Sequence, residues 1–447
     1  VEKEKKDLLE VKRKLDPEDI NLPEGYEIEV FKEGLTTPIN IIFTDEDEML
    51  VADAGVTSGN GKVLKLTSHG FEVIAEGFNP PLTGITYHEG NIYVSHRGYI
   101  TIIKPDGTKE NIIEGLPSWG DHHNNRVVFG HDGKMYFGQG TATNSGVVGM
   151  DNSSWVKRHP FFHDYPGSTV MLLGKNYKTE NFLTKAQRDS ACTGSYSPFG
   201  VPSYSGEIVK GVVKASGSVL RANPDGSDLE LVAWGLRNPF RMKFDRNGCL
   251  FSTDHGMDVR GSRPVANSPD SFYVIKYGAW YGWPDYTGGL PVTLPIFKPE
   301  NEPQPSFLLA QHPMEPPKPL AIFEPHSAIM GFDFNYNPLF GEVGDVYIAE
   351  FGSEAPRTTG GKPMPYVGHR ISKIDMETGK VSTFAINKSF GAASYTDGGG
   401  LERPIDVVFG PDDCMYVADF GMMDHDHANG YHGFIPNTGV IWRITKK

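Results

Sequence analysis

Four things are scarce in this sequence, and each scarcity excludes something. Cysteine comes first: Cys192, Cys249 and Cys414 are the only three in 447 residues, and no Cys-x-x-Cys pair occurs. Three thiols cannot all pair, which removes a disulfide framework and a thiolate zinc cluster from consideration. Cys249 and Cys414 stand at equivalent points of two repeats, in strand-like runs where buried thiols are expected. Basic charge is also short, with 42 Lys and Arg against 56 Asp and Glu and a formal net charge of −14. Nucleic acid is therefore not an expected partner, because phosphate binding needs a positive field. No apolar run approaches the ~20 residues of a membrane-spanning helix, so no membrane span is expected. Helical periodicity is the fourth scarcity, being almost absent after the first twenty residues. The chain starts at Val1 with no visible leader, as a processed chain, a trimmed one or a cytosolic one with its start removed would.

What is present is apolar residue in short runs. The sequence is 38% hydrophobic and carries 52 Gly and 33 Pro, enough for a large core cut by many turns. Residues 1–20 are charged with a few spaced leucines and read as a short surface helix or frayed arm. From Tyr26 the pattern alternates with period 2, as a half-buried strand should. A repeat then occurs six times: an apolar strand, a tight turn, and a second strand ending near an acid or histidine. Its second strands end at Asp53, His96, Gly138, Asp254, Glu350 and Asp419. A further strand pair follows most copies, as at Gly61–Ile74 and His369–Phe384.

Four strands per unit and six units predict an all-β fold, a six-bladed β-propeller over 21–447. Gly439-Val-Ile-Trp-Arg-Ile supplies one late strand to the last blade, and the early Tyr26–Phe31 strand would close it and hide the edges. The turns inside the hairpins are short. The long segments 141–216, 285–326, 351–368 and 420–438, with 255–271, are assigned to one face, and loops of that length are usually functional or disordered.

Polar residues at the loop–strand junctions should converge on that face. They include Asp53, His96, Arg97, Asp121, His122, Arg237, Asn238, Asp254, His255, His326, Glu350, Arg403 and Asp419. Arginines there suit an anionic ligand, and histidine a general base. Asp53 and Asp419 also read as turn and inter-blade hydrogen-bonding residues. His122 stands out, because it opens a strand inside the polar run Asp121-His-His-Asn-Asn-Arg126. Asp424-His-Asp-His427 with His432 offers metal-type ligands at a spacing that matches no closed zinc pattern, and a solvated loop reads equally well. The aromatics of Tyr277–Pro284 suit either stacking on a sugar ring or packing beneath a blade.

In sequence order, Asp121-His122…Arg126-Val-Val-Phe-Gly, Gly235-Leu-Arg-Asn-Pro239, His255-Gly256 and Tyr281-Gly-Trp-Pro284 resemble the soluble quinoprotein glucose/sorbosone dehydrogenase family. The resemblance covers most of 22–447 and implies a six-bladed propeller that binds pyrroloquinoline quinone (PQQ) and calcium and oxidises aldoses. It makes His122 the general base, with Asp121 beside it, and places Arg237, Asn238 and His255 at the quinone. It gives Arg403 a quinone carboxylate and makes the carbonyls of Gly256 and Met257 calcium ligands. An external electron acceptor and an extracytoplasmic location follow from the same likeness. Four positions depart from the family pattern: Thr141 and Ser271 replace acids, Phe351 a lysine and Ile405 an arginine. The last two remove positive charge from the expected quinone cradle, and bring the chain closer to the sorbosone-type branch. Two other classes share the polar rim. One is a metal-dependent hydrolase or lyase of lactones or polysaccharides, using His122, His255, His326 and Glu350 or the 424–432 histidines. The other is a non-catalytic carbohydrate- or protein-binding propeller.

Overall fold

The β-branched and aromatic runs separated by Gly- and Asp-containing turns form six antiparallel sheets of four main strands each in a computed structural model of the chain. Residues 11–186, 188–355, 358–362, 364, 366–424 and 433–447 are described. The fold is a six-bladed β-propeller with four-stranded blades. The described residues divide into two compact units, one drawn from 1–111, 327–353 and 365–447, the other from 112–326 and 354–364.

The first unit holds blades 1, 2, 5 and 6. Their innermost strands are Pro38–Phe43, Leu82–His88, Ile329–Phe334 and Pro404–Phe409. Polar side chains stitch one inner strand to the next. Phe409 N donates to the Asp333 carboxylate (2.9 Å), Asn40 Nδ2 and Ile41 N donate to Asp406 (2.6 and 3.0 Å), and Ile85 N donates to Asn40 Oδ1 (2.8 Å). Gly331 makes room for this: a Cβ there would lie 2.0 Å from the Asp406 carboxylate. Between the stitches Ile41, Val51, Val94, Ile348 and Val417 are fully buried, each stabilising the fold by ~1.5–3 kcal/mol. The sixth blade is completed as expected: Tyr26–Leu35 pairs antiparallel with Gly439–Lys446, which pairs with Met415–Asp419.

Ile20–Asn21 pairs with Val381–Asn387 as a fifth strand of blade 5. Arg13 reaches the Thr438 and Gly400 carbonyls, each at 2.9 Å, and the Asp419 carboxylate at 2.5 Å. Leu15 and the buried Arg13 dock this segment where a charge count suggested solvent.

Blades 3 and 4 make up the second unit, with Val128–Phe129, Met135–Gln139, Ser218–Ala222 and Glu230–Trp234, then Met242–Phe244, Leu250–Asp254, Asp270–Val274 and Ala321–Phe323. Here one loop assignment needs correction. The 285–326 stretch, read as one long segment, is not all loop, because Ala321–Phe323 inside it pairs with Asp270–Val274 as the outer strand of blade 4. The long connection thus joins the third and fourth strands of blade 4. It folds back on the 141–216 insertion, with Leu173 N donating to Leu308 O and Ala310 N to Met171 O. A three-residue strand after a proline run carries too little periodicity to be read. The cysteines also differ from expectation: Cys192 and Cys249 are exposed and Cys414 is intermediate, because the latter two sit in the hairpin turns.

Candidate active site

His122 lies in the segment that enters Val128–Phe129, the first strand of blade 3. Its backbone N–H donates to the Thr141 carbonyl at 3.1 Å, and its ring Nδ1 lies 3.0 Å from the same oxygen and 3.2 Å from Thr141 Oγ1. A carbonyl only accepts, so Nδ1 carries the proton and Nε2 presents a lone pair. Burial pushes the imidazole well below its usual range, and the cations Arg237 and Arg260 push the same way. The ring is thus a neutral base with its tautomer set by the backbone. Thr141, where an acid was expected, serves as that anchor; its own hydroxyl donates to Thr143 O at 2.7 Å.

Asp121 does not bond to His122. Its Oδ1 accepts from Asn152 Nδ2 (3.0 Å) and Trp155 Nε1 (2.9 Å), while Oδ2 is paired with Arg260 (2.8 Å). Arg237 is almost wholly buried. Its Nε donates to Asn144 O, and one terminal nitrogen meets Asn144 Oδ1 (3.0 Å) and Asp258 (2.9 Å). Burial would raise the Asp258 carboxyl, but Arg237, His326 and Arg260 together hold it far below the usual range. Asn238 Nδ2 and His255 Nδ1 are 3.1 Å apart, and the His255 ring stacks on Phe240. The second unit therefore brings together His122, Asp121, Arg237, Asn238 and His255.

Gly256 and Met257 follow directly. Their N–H groups donate to Asp270 (2.7 Å) and to Ser268 Oγ (2.6 Å), which leaves their carbonyls outside those bonds. A Cβ on Gly256 would lie 2.5 and 2.6 Å from the carbonyl oxygens of Ser268 and Pro269, so only glycine fits. Arg237, Asp254, His255, Gly256, Met257 and Ser271 border a cavity of about 10 Å³, roughly the room one water needs. A hard cation taking carbonyl oxygen is compatible with that lining.

Arg403 lies in the first unit. It is fully buried, its guanidinium 3.3–3.4 Å from the Phe351 and Ser353 carbonyls and the Tyr395 hydroxyl, over the Phe351 ring. Among the described residues no carboxylate hydrogen-bonds to that guanidinium, and Nε has no partner. A buried cation so poorly satisfied fits an anionic group.

Several sequence candidates have structural occupations instead. His96 uses both ring nitrogens, on Asn79 N and Thr101 Oγ1, and burial lowers it to about 4. Asp53 accepts from Thr37 and Gly55. Glu350, in the first unit, holds Arg370 and Ser372. His326 faces Asp258 at 3.5 Å. Among the described residues no three His, Cys, Asp or Glu are placed to share a metal ion; His425, His427 and His432 lie outside those residues. Trp280, Tyr281 and Trp283 are buried, so the 277–284 aromatics pack rather than stack on a ligand, and only Tyr277 is exposed. Asn144, Asp151, Asp258 and Arg260 were not anticipated. They lie in long segments without repeat, and only the Asp258-Val-Arg260 spacing after His255-Gly256 could have drawn attention to them.

No family model matches the chain. Quinoprotein glucose dehydrogenase B of Acinetobacter calcoaceticus is 25% identical over 198 residues, 44% of this chain and 32% of that protein. The HIPL1 protein of Arabidopsis thaliana is 28% identical over 206 residues, 45% of this chain and 23% of that protein. The matches thus span a third or less of these curated relatives. Among solved structures, the holo PQQ domain of Coprinopsis cinerea pyranose dehydrogenase aligns with a TM-score of 0.56 at 15% identity, covering 95% of this chain and 97% of that one. The PQQ-bound aldose sugar dehydrogenase of Streptomyces coelicolor gives 0.52 at 14%, covering 95% and 100%. A calcium structure of a Trichoderma reesei carbohydrate-active enzyme of family AA12 gives 0.55 at 16%, covering 98% and 99%. The chain is similar to quinoprotein sugar dehydrogenases. At these identities the structural matches carry the fold alone.

Proposed function

We propose that the chain is an oxidoreductase that oxidises a sugar, polyol or sugar-derived aldehyde with PQQ and calcium, passing electrons to an external acceptor outside the cytoplasm. The observation that carries this reading is the His122 ring, held through Nδ1–H by a backbone carbonyl, with Nε2 left as a lone pair in the field of Arg237 and Arg260. The likeness to Acinetobacter quinoprotein glucose dehydrogenase supports it.

Each residue has a task. His122 Nε2 takes the proton of the substrate hydroxyl at the carbon being oxidised, and its depressed basicity keeps it unprotonated at neutral pH. Within the second unit Arg237, Asn238 and His255 would hold the anionic quinone, and the carbonyls of Gly256 and Met257 the calcium. When bound, the quinone supplies the hydride acceptor and the calcium polarises its oxygen. Phe351 and Ile405 are buried, so they return none of the positive charge that the family pattern has at those positions.

The test is reconstitution with PQQ and Ca²⁺, followed by dye reduction with a panel of aldoses and polyols. Wild type should reduce dye, and His122→Gln should lose at least ~100-fold in kcat with an unchanged melting temperature. Undiminished activity in that variant would rule His122 out as the base. No quinone uptake, with stoichiometric zinc, copper or iron in the isolated protein, would overturn the proposal in favour of metal-dependent hydrolysis.

A further inference from the structure

Asp121, the residue directly before His122, is held by a cation that no motif announced. Arg260 reaches Asp121 at 2.8 Å and Asp151 at 2.6 Å through one terminal nitrogen, and Asp258 at 3.2 Å through Nε. Asp258 in turn grips Arg237 at 2.9 Å. These side chains are between 5% and 19% exposed. A continuous line of charge thus runs from the segment bearing His122 to the segment bearing Arg237, and Arg260 is its middle.

We propose that Arg260 is a positioning residue, a cationic strut that fixes the loop carrying the base against the loop carrying Arg237. The inference rests on the reading of His122 as the base. Three carboxylates converge on Arg260, and only Asp258 has a second arginine. Burial and the facing Asp121 lift Asp151 to about 6 despite Arg260, so the cluster is already short of positive charge. Taking Arg260 away would leave Asp121 and Asp151 facing each other without a cation, in surroundings too dry to tolerate it. The groups that set the field at His122 are Arg237, Arg260 and His255, while Asp121, Asp151 and Asp258 face Arg260 and His326 backs Asp258. Asp164, buried against Ala142 N and Thr143, adds negative charge on the Asp121 side. Loss of the strut should therefore free the loop and strengthen the imidazole as a base at once.

The experiment titrates the His122 ring by NMR in the full chain without added cofactor, its signal assigned by loss in His122→Gln. In Arg260→Met the titration should move up by about one pH unit. In Arg260→Lys it should stay near wild type. In Asp121→Asn, which removes negative charge while leaving an oxygen for Asn152 and Trp155, it should move down. With PQQ and Ca²⁺ added, the acid limb of kcat/KM should follow the titration. kcat/KM should fall about tenfold or more in Arg260→Met and severalfold in Arg260→Lys, whose ammonium cannot bridge three acids. A folded Arg260→Met with an unmoved His122 titration overturns the strut. If that variant does not fold, an Asp121→Asn titration that stays put or moves up overturns it equally. Wild type that titrates as expected but never reduces dye sinks the dehydrogenase reading and leaves the NMR result standing.

Discussion

Blades 4 and 6 enter their first strands through the same short motif, Leu236-Arg-Asn-Pro239 in one and Leu401-Glu-Arg-Pro404 in the other. In both, the acid that ends the second strand turns back to accept the N–H groups of the two residues between. Asp254 takes Arg237 at 3.0 Å and Asn238 at 2.7 Å, and Asp419 takes Glu402 at 2.8 Å and Arg403 at 2.9 Å. There the likeness ends. Asp419 also holds Arg13 and Trp442 Nε1 (3.2 Å), and although burial would raise it, Arg13 and the hydrogen bonds keep it below the usual carboxylate range. Asp254 has no side-chain donor among the described residues, and burial pushes it up to about 7 against its two backbone bonds. The repeat builds the clamp, and whatever else arrives decides the charge. Reading all the repeated acids as catalytic, or all as structural, would miss that difference.

Removing Arg13 should break the comparison most sharply. Arg13→Ala leaves the Asp419 carboxylate buried without its cation, and should cost about 3–5 kcal/mol of stability, measured as a lower urea midpoint at unchanged slope. A loss within experimental error would mean that the backbone clamp alone neutralises Asp419. The pH dependence sharpens the same point. Asp419 has its folded pKa below its unfolded one, so its contribution is complete above the unfolded value and fades as pH falls through the folded value. The stability gap between wild type and Arg13→Ala should therefore be constant at neutral pH and close below about pH 4. A gap that instead closes on the alkaline side would place the coupling on another group.

How much of this could be read beforehand divides along the same line. The six hairpins, the closing strand from Tyr26 to Phe31 and the placing of Asp121-His122 at a strand entrance follow from period-2 alternation and recurring turns. Those signals are local, and every blade repeats them. The partner of each acid is not local. Arg13 lies 406 residues from Asp419, and Arg260 meets Asp121 from an irregular segment, so no periodicity or spacing announces either pair. The likeness to the quinoprotein family indicated His122 and Arg237, but not that Arg237 is already gripped by Asp258, nor that Thr141 anchors His122 through its carbonyl. The pattern fails where a short element decides the outcome: Ala321–Phe323 is a strand inside a segment expected as loop, and Cys249, expected buried, is exposed in a turn.

The smallest expected effect is the one that tests the comparison most directly. Asp254→Asn keeps the shape and the oxygen that accepts from Arg237 N and Asn238 N, and removes only the charge. Burial already disfavours that charge, so the substitution should change stability by less than about 1 kcal/mol. Asp419→Asn, by contrast, would strand Arg13 and should approach the cost of Arg13→Ala. Equal losses at the two positions would show that charge matters equally in both clamps, and that the raised Asp254 is not set by burial. Unequal losses in the expected order would leave the blade 4 carboxylate as a hydrogen-bond frame for Arg237 and Asn238.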